Sequence, residues 1–382
     1  MDRGDGLESL RGRRVFVTGH TGFKGAWLLL LLDRLGCRTT GYALEPPTTP
    51  SLFAAAGLVD LVETHHVADI RDAARLAAAV RQAEPDVVLH LAAQPLVRLS
   101  HREPLDTFST NVVGTAALLD AVRQRGKPCV LIAVTSDKCY EPHASGKPHD
   151  EGDRLGGHDP YSASKGAAEL VAAAYRRSYF PPARLAEHGV QLATVRAGNV
   201  IGGGDWAADR IVTDIVRHLA AGRPVPVRNP AAVRPWQHVL EPLTGYLTLA
   251  AAMLAEPGAT WCAGWNFGPA AEGDVTVREL AELFIEAWGM GSWEDHHDPR
   301  APIETHVLRL AIDKAVAGLP WRPRLSARDA ILRTAAWFRA FGADPTTARG
   351  LCLADIEAYE QAREQPREQP GQTGHARPGA HA

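Results

Sequence analysis

Residues 13–25 read RRVFVTGHTGFKG, and this stretch decides the fold. Val15, Phe16 and Val17 make a short apolar run of the kind that forms a buried strand. The run stops at Gly19. Gly22 and Gly25 follow in a GxxGxxG spacing that opens into the apolar helix FKGAWLLLLLDRLG. Glycine at such a turn lets the backbone take positive φ and lets a diphosphate approach closely, while the helix N-terminus aims its N–H groups at the phosphates. The competing reading is a tight strand-to-helix connection without a ligand. Placement at the first strand–helix turn of an alternating chain favours dinucleotide binding, with Thr21 and Phe23 in the same loop.

The alternation runs outward from that turn. RTTGYAL, DVVLHLAA, CVLIAVTS and VQLATVRAGNV read as strands. ARLAAAVRQAEP, NVVGTAALLDAVRQRG and YSASKGAAELVAAAYRRSYF read as the helices between them. Such a chain predicts an α/β fold with a doubly wound parallel sheet, and its near-continuous apolar strands fit a sheet covered on both faces. After about Gly202 the pattern loosens, and Pro, Trp and Gly become more frequent. Residues 1–200 are therefore expected to form a dinucleotide-binding domain to which later segments return, and residues 201–345 mainly a smaller substrate lobe. Residues 362–382, rich in Pro, Gly, Gln and His, read as a disordered tail.

Bulk properties narrow the function classes. The chain has 382 residues, 45% hydrophobic and 22% charged, with a net charge of -3. That balance gives no electrostatic case for nucleic acid or an anionic membrane. AWLLLLL is too short to span a bilayer, and the polar MDRGDGLESLRGRR is no signal peptide. Cys37, Cys129, Cys139, Cys262 and Cys352 form no CxxC pair, which predicts a reduced, cytoplasmic protein without structural zinc. The pairs His65–His66 and His296–His297 lack a second ligand pair and read as surface loops, so no metal is expected.

Two short motifs carry chemistry. YSASK places Tyr161 and Lys165 four residues apart on one helix face. An ammonium there would stabilise a phenolate and lower the tyrosine pKa from about 10, making a base for a sugar hydroxyl. VTSDKCY, Val134–Tyr140, sets Ser136, Asp137 and Lys138 at the end of a strand, where ligands bind in parallel sheets. A solvated ion pair is the alternative for Asp137 and Lys138. Ala92 and Ala93 complete the cofactor set where DVVLHLAA ends. Glu45 stands two residues past the usual ribose-reading position and no Arg follows it, which favours NAD over NADP. Asp69 and Ile70 fall beside the adenine, with a helix N-cap at Asp69 or Asp72 as the other reading.

The segments VFVTGHTGFKG, GYALEPPTTPSLF, HLAAQPLVRLS, VTSDKCY, DPYSASKGAAELV, RAGNVIGGGDWAADRIVTDIVR, RPWQHVLEPLTGYL and WNFGP resemble the extended short-chain dehydrogenase/reductases. They are most similar to the nucleotide-sugar 4,6-dehydratase branch and, within it, to the CDP-glucose type. The resemblance implies a modified Rossmann domain with a C-terminal substrate lobe, a homodimer, NAD as cofactor and CDP-glucose as substrate. It assigns Tyr161 to O4 deprotonation, Ser136 to the 4-hydroxyl, Lys138 to the C5 proton and Asp137 to the departing C6 hydroxyl. Lys138 stands where the broader group carries glutamate, and as a base it needs a pKa near ~7–8. Gln94, Arg98 and Asn199 are expected at the sugar and Arg210 and Arg234 at the diphosphate, whose oxygens a guanidinium grips bidentately. Trp236 and His238 read as packing. The competing functions are a 4-epimerase, a dehydratase of another nucleotide-hexose, and a non-catalytic NAD-sensing regulator.

Overall fold

The computed structural model describes residues 6–142, 146–270, 274–297 and 308–362. The expected tail lies outside these residues, apart from Ala362. Seven parallel strands form the central sheet. They are β1 (Arg14–Thr18), β2 (Arg38–Ala43), β3 (Thr64–Val67), β4 (Val87–His90), β5 (Cys129–Val134), β6 (Val190–Arg196) and β7 (Gly264–Asn266). Their order is β7-β6-β5-β4-β1-β2-β3, so the winding direction reverses between β1 and β4. A ligand crevice belongs above the carboxyl ends of those two strands.

The two-residue period of the strands divides the core. Val15 and Val17 of β1 point to one face and join an apolar cluster with Leu89, Ile132 and Val195. Phe16 points to the other and joins Val88, Leu131 and Leu192. The first face is covered by α1 (Phe23–Arg34) and by a later helix, Leu240–Ala255. The second is covered by α2 (Ala73–Ala83), α3 (Gly114–Arg125) and α4 (Pro160–Ser178). Every residue of β6 is buried, as a two-sided cover requires.

The chain beyond β6 builds α5 (Ile211–Ala220), α6 (Leu240–Ala255), α7 (Val277–Trp288), α8 (Ala327–Ala343) and α9 (Ala348–Gln361) around three short strand pairs. β7 and α6 return to the sheet. α9 packs on α1, where Glu360 accepts from the Arg34 guanidinium at 2.9 and 2.6 Å. Among the described residues no helix is long and apolar enough to cross a membrane.

One expectation is corrected here. His65 and His66 lie on the edge strand β3, not in a surface loop. The His65 ring stacks on Phe53, and its Nδ1 is 2.7 Å from His20 Nε2. A flat imidazole that can both stack and hydrogen-bond fits this half-buried edge as well as an aliphatic side chain would. His296 and His297 are exposed, just past the short strand Trp293–Asp295.

Candidate active site

Gly19 ends β1 with φ +75°, and a Cβ there would stand 2.7 Å from the Ala92 nitrogen. A Cβ on Gly25 would overlap the Gly19 carbonyl. Both positions require glycine for close packing of turn, helix and neighbouring strand. No side chain caps α1 at Gly22, and its first turn carries no acidic residue. Its open N–H groups and positive dipole end therefore suit a dinucleotide diphosphate. Beneath the crevice, His90 bonds Thr18 Oγ1 at 2.7 Å and Thr115 Oγ1 at 3.0 Å, and Thr18 Oγ1 accepts from Ala92 N–H. Burial pushes the His90 pKa down to about 3, so the ring is a neutral strut. Thr21 donates to the Leu44 carbonyl at 2.9 Å and so ties the glycine turn to the end of β2, where Glu45 is exposed.

β5 runs into one 3-10 turn, Asp137–Cys139, whose N-cap is Ser136. Ser136 Oγ donates to Asp137 Oδ1 at 2.8 Å. The Lys138 N–H donates to both, at 3.2 Å to Ser136 Oγ and 2.9 Å to Asp137 Oδ1. Among the described residues Asp137 and Lys138 form no ion pair with each other. The Asp137 carboxyl occupies the space a Cβ on Gly198 would need. It lines a cleft with Asn199, Gln237, Pro269, Leu308 and Leu310.

α4 is started by Asp159, whose carboxylate accepts from Ser162 N–H at 3.0 Å and Ser162 Oγ at 2.5 Å, with Pro160 at the first helical position. Tyr161 and Lys165 are 8% and 6% exposed, one turn apart. The Lys165 ammonium faces the Val134 carbonyl at 3.5 Å, and burial pushes its pKa down to about 8. Burial pushes Tyr161 the other way, up to about 12. The nearby Ser136 hydroxyl and Arg210 pull it down, and Asp137 pushes it further up. The expectation that the nearby Lys165 ammonium lowers this phenol from about 10 is corrected, because in the protein alone burial raises it. Loss of solvent outweighs every cation the protein provides at this position.

Arg98 and Arg210 are linked through neighbouring residues, and the Arg210 charge acts on both Tyr161 and Lys24. Arg98 pairs with Asp209 at 3.0 Å, and Arg210 reaches the Pro95 carbonyl at 3.5 Å. Arg234 donates to the Val233 carbonyl at 2.9 Å on a separate strand pair. Asn199 holds φ +51°, a conformation asparagine tolerates better than most residues. The Gln94 amide is turned inward, where it donates to the Leu96 carbonyl and Thr107 Oγ1 and accepts from Leu96 N–H. It braces its own loop, not a sugar pocket. Asp69 is clasped by Arg71, which also reaches Asp106, and Asp72 is the N-cap of α2. Ile70 is buried and packs on Gly114. Trp236 and His238 are buried, the latter edge-on to Trp27.

The sequence reading passed over Lys24. Burial pushes its ammonium down to about 8, helped by Arg210 and Lys165, while Asp137 and Asp205 act to raise it. A lysine inside the glycine turn itself was the available signal. It also passed over Glu169, which accepts from Thr135, Thr194 and Arg196 beneath the 134–140 segment. Glu169 lies one further turn along the Tyr161–Lys165 face.

Residues 15–263 match the NAD dependent epimerase/dehydratase family. The chain belongs to that family. It is 48% identical over 336 residues to the CDP-glucose 4,6-dehydratase of Salmonella typhimurium, covering 87% of this chain and 92% of the relative. It is 32% identical over 262 residues to the dTDP-glucose 4,6-dehydratase of Streptomyces antibioticus, covering 67% of this chain and 71% of that one. Among solved structures, the dTDP-glucose 4,6-dehydratase of Streptomyces venezuelae with NAD bound superposes with a TM-score of 0.69 at 26% identity, covering 87% of this chain and 99% of that one. The Rossmann-type sheet and the glycine turn are thus those of an NAD-dependent family.

Proposed function

We propose that this chain is an NAD-dependent hydro-lyase that converts CDP-glucose to CDP-4-keto-6-deoxyglucose. The observation that carries the reading is the Ser136–Asp137–Lys138 turn set against the Tyr161–Lys165 helix. When bound, the nicotinamide supplies the acceptor for the C4 hydride and the donor of the same hydride to C6. Gly19, Gly22, Gly25 and the open N-terminus of α1 hold the dinucleotide, with Thr21, Phe23, Ala92 and Ala93 around it. Glu45 stands within the ribose region, and Asp69 and Ile70 border the adenine.

Tyr161 takes the proton from O4, with Ser136 as its hydrogen-bond partner and Lys165 supplying positive charge. The resulting C4 ketone acidifies C5. Lys138 removes the C5 proton, and Asp137 protonates the C6 oxygen so that water leaves. Asn199, Arg98 and Arg210 hold sugar and diphosphate, and Arg234 contributes a further cation. The 48% identity to a CDP-glucose enzyme supports the cytidine assignment. A 4-epimerase shares the oxidation but needs no acid and base at C5 and C6, so the SDK turn speaks against it. A non-catalytic regulator needs neither Tyr161 nor Lys165.

The same reading makes the protein a cytoplasmic homodimer. Leu105, Val113, Leu170 and Tyr179 are 84%, 57%, 60% and 50% exposed on the outer helical layer, which supports pairing through α3 and α4. Incubation with NAD and a panel of nucleotide-glucoses, read by mass spectrometry, tests the function. Loss of one water from CDP-glucose is expected, and no dehydration of any nucleotide-glucose would overturn the reading.

A further inference from the structure

The short parallel strand pair Val200–Ile201 and Gln237–His238 carries a buried glutamine into the cleft wall. Side chains alternate along a strand. His238 turns to one face, edge-on to Trp27, and Gln237 turns to the other, where it lines the cleft with Asp137, Gly198 and Asn199. Gln237 is 2% exposed. A polar group buried that deeply is normally satisfied by hydrogen bonds.

Only the donors of Gln237 are satisfied. Nε2 donates to the Gly198 carbonyl at 2.9 Å and to the Phe267 carbonyl at 3.2 Å. The backbone N–H donates to the Asn199 carbonyl at 3.2 Å. Two carbonyls on Nε2 settle the orientation of the amide, because the reverse orientation would set oxygen against oxygen. Oε1 is buried with no hydrogen-bond partner among the described residues. Stability alone does not favour such a residue, since an unmet buried acceptor is a penalty that an apolar side chain avoids. What glutamine adds here is a two-pronged donor that ties one carbonyl to another.

We propose that Gln237 is a positioning residue for the elimination acid and acts on Asp137 through Gly198. Gly198 is where the two meet. Gln237 holds its carbonyl, and the Asp137 carboxyl occupies the space that a Cβ on Gly198 would need. The Ser136 hydroxyl and the Lys138 N–H fix Asp137 Oδ1 from the other side. No hydrogen bond among the described residues holds Oδ2, so contact with Gly198 sets its direction. The second prong reaches a rigid anchor. Phe267 is fully buried, with its ring edge-on to Tyr246 at 5.5 Å and to Trp321 at 4.9 Å. Gln237 thus transmits the position of a packed core residue to the turn that backs the acid. That turn needs an external tie, because Asn199 holds φ +51° within it.

The inference rests on the dehydratase reading, and its test separates the two. Gln237→Met keeps the bulk and removes both side-chain donors. Dehydration of CDP-glucose should slow roughly 10- to 100-fold, with KM for the sugar nucleotide little changed. The oxidation does not use Asp137, so reduced nicotinamide, read by its absorbance, should build up during turnover above the wild-type level. A loss without that build-up would overturn the positioning role. Gln237→Met and Gly198→Ala disturb one contact, so the double variant should be little slower than the slower single variant. Losses that multiply in full would also overturn the inference. Gln237→Glu serves if the methionine variant does not fold. Its ionised carboxylate has no donor for the Gly198 carbonyl, and its protonated form regains one. Its rate relative to wild type should therefore recover as pH falls, and a ratio that stays flat counts against the role of the donor. A wild type that dehydrates no nucleotide-glucose overturns the functional reading and the inference with it.

Discussion

Glu169 and Arg196 form a two-bond ion pair beneath the catalytic turn, with Nε–Oε1 2.8 Å and Nη2–Oε2 2.9 Å. Their side chains are 3% and 5% exposed. Thr135 and Thr194 donate to the same carboxylate, and Arg196 also bonds the Tyr140 hydroxyl. The pair links α4, β6 and the 134–140 segment. Breaking it strands a buried charge, which costs about 3–5 kcal/mol. Glu169→Gln should therefore lower the free energy of urea unfolding by that order. Unfolding midpoints unchanged from wild type would contradict the buried-pair account.

Gly198 and Asp137 compete for one volume, because the Asp137 carboxyl fills the space of a Gly198 Cβ. Gly198→Ala should push the acid aside without removing it. Misplacement by about 1 Å can cost a reacting group roughly 10²-fold. Dehydration should fall by that order while NAD affinity, measured by fluorescence quenching, holds, since the glycine turn lies elsewhere. Equal losses in both would point to global damage and not to displacement of Asp137.

Burial holds Lys24 and Lys165 at about 8, below the ordinary 10.5. Between these values the unfolded chain binds protons that the folded chain has released, so each lysine makes stability rise with pH across that window. Tyr161, held up at about 12, acts in the opposite sense above its ordinary value of 10.0. Buried cysteines, raised from 9.0, act in the opposite sense over pH 8–10, so the comparison of urea midpoints with a lysine variant, and not wild type alone, isolates Lys165. The stability of wild type relative to Lys165→Met should rise from pH 8 to pH 10, and an unchanged difference would refute the buried-ammonium assignment.

Local patterns made the fold legible. GxxGxxG after an apolar run located β1 and α1, and the alternation located the parallel sheet. β3 was legible only as the strand expected before ADIRD, because THHV is short and half-polar and its strand character comes from pairing with β2. The candidate catalytic groups were visible because Tyr161 and Lys165, and Ser136, Asp137 and Lys138, each lie within one short window of sequence. Lys24 acquires its character from burial, helped by Arg210 about 180 residues away, and no local window contains that environment. Gln94 shows the converse. Its polar side chain suggested a ligand contact, but the amide is satisfied within its own loop.

In the proposed mechanism Lys138 is the base of the elimination step. Its backbone N–H anchors Ser136 and Asp137, while among the described residues nothing hydrogen-bonds its Nζ. Backbone and side chain thus have separable roles. Lys138→Ala keeps the N–H, so the turn and the first oxidation should survive. The C5 proton would then lose its acceptor. General-base catalysis is worth about 10²–10⁴-fold, and elimination from preformed CDP-4-keto-glucose should slow by that factor. Hydrogen–deuterium exchange at C5 of the same compound should slow in parallel, because exchange needs the base but not the departing hydroxyl. If exchange stayed fast while elimination slowed, Lys138 would be acting at C6 and the roles of Lys138 and Asp137 would have to be exchanged.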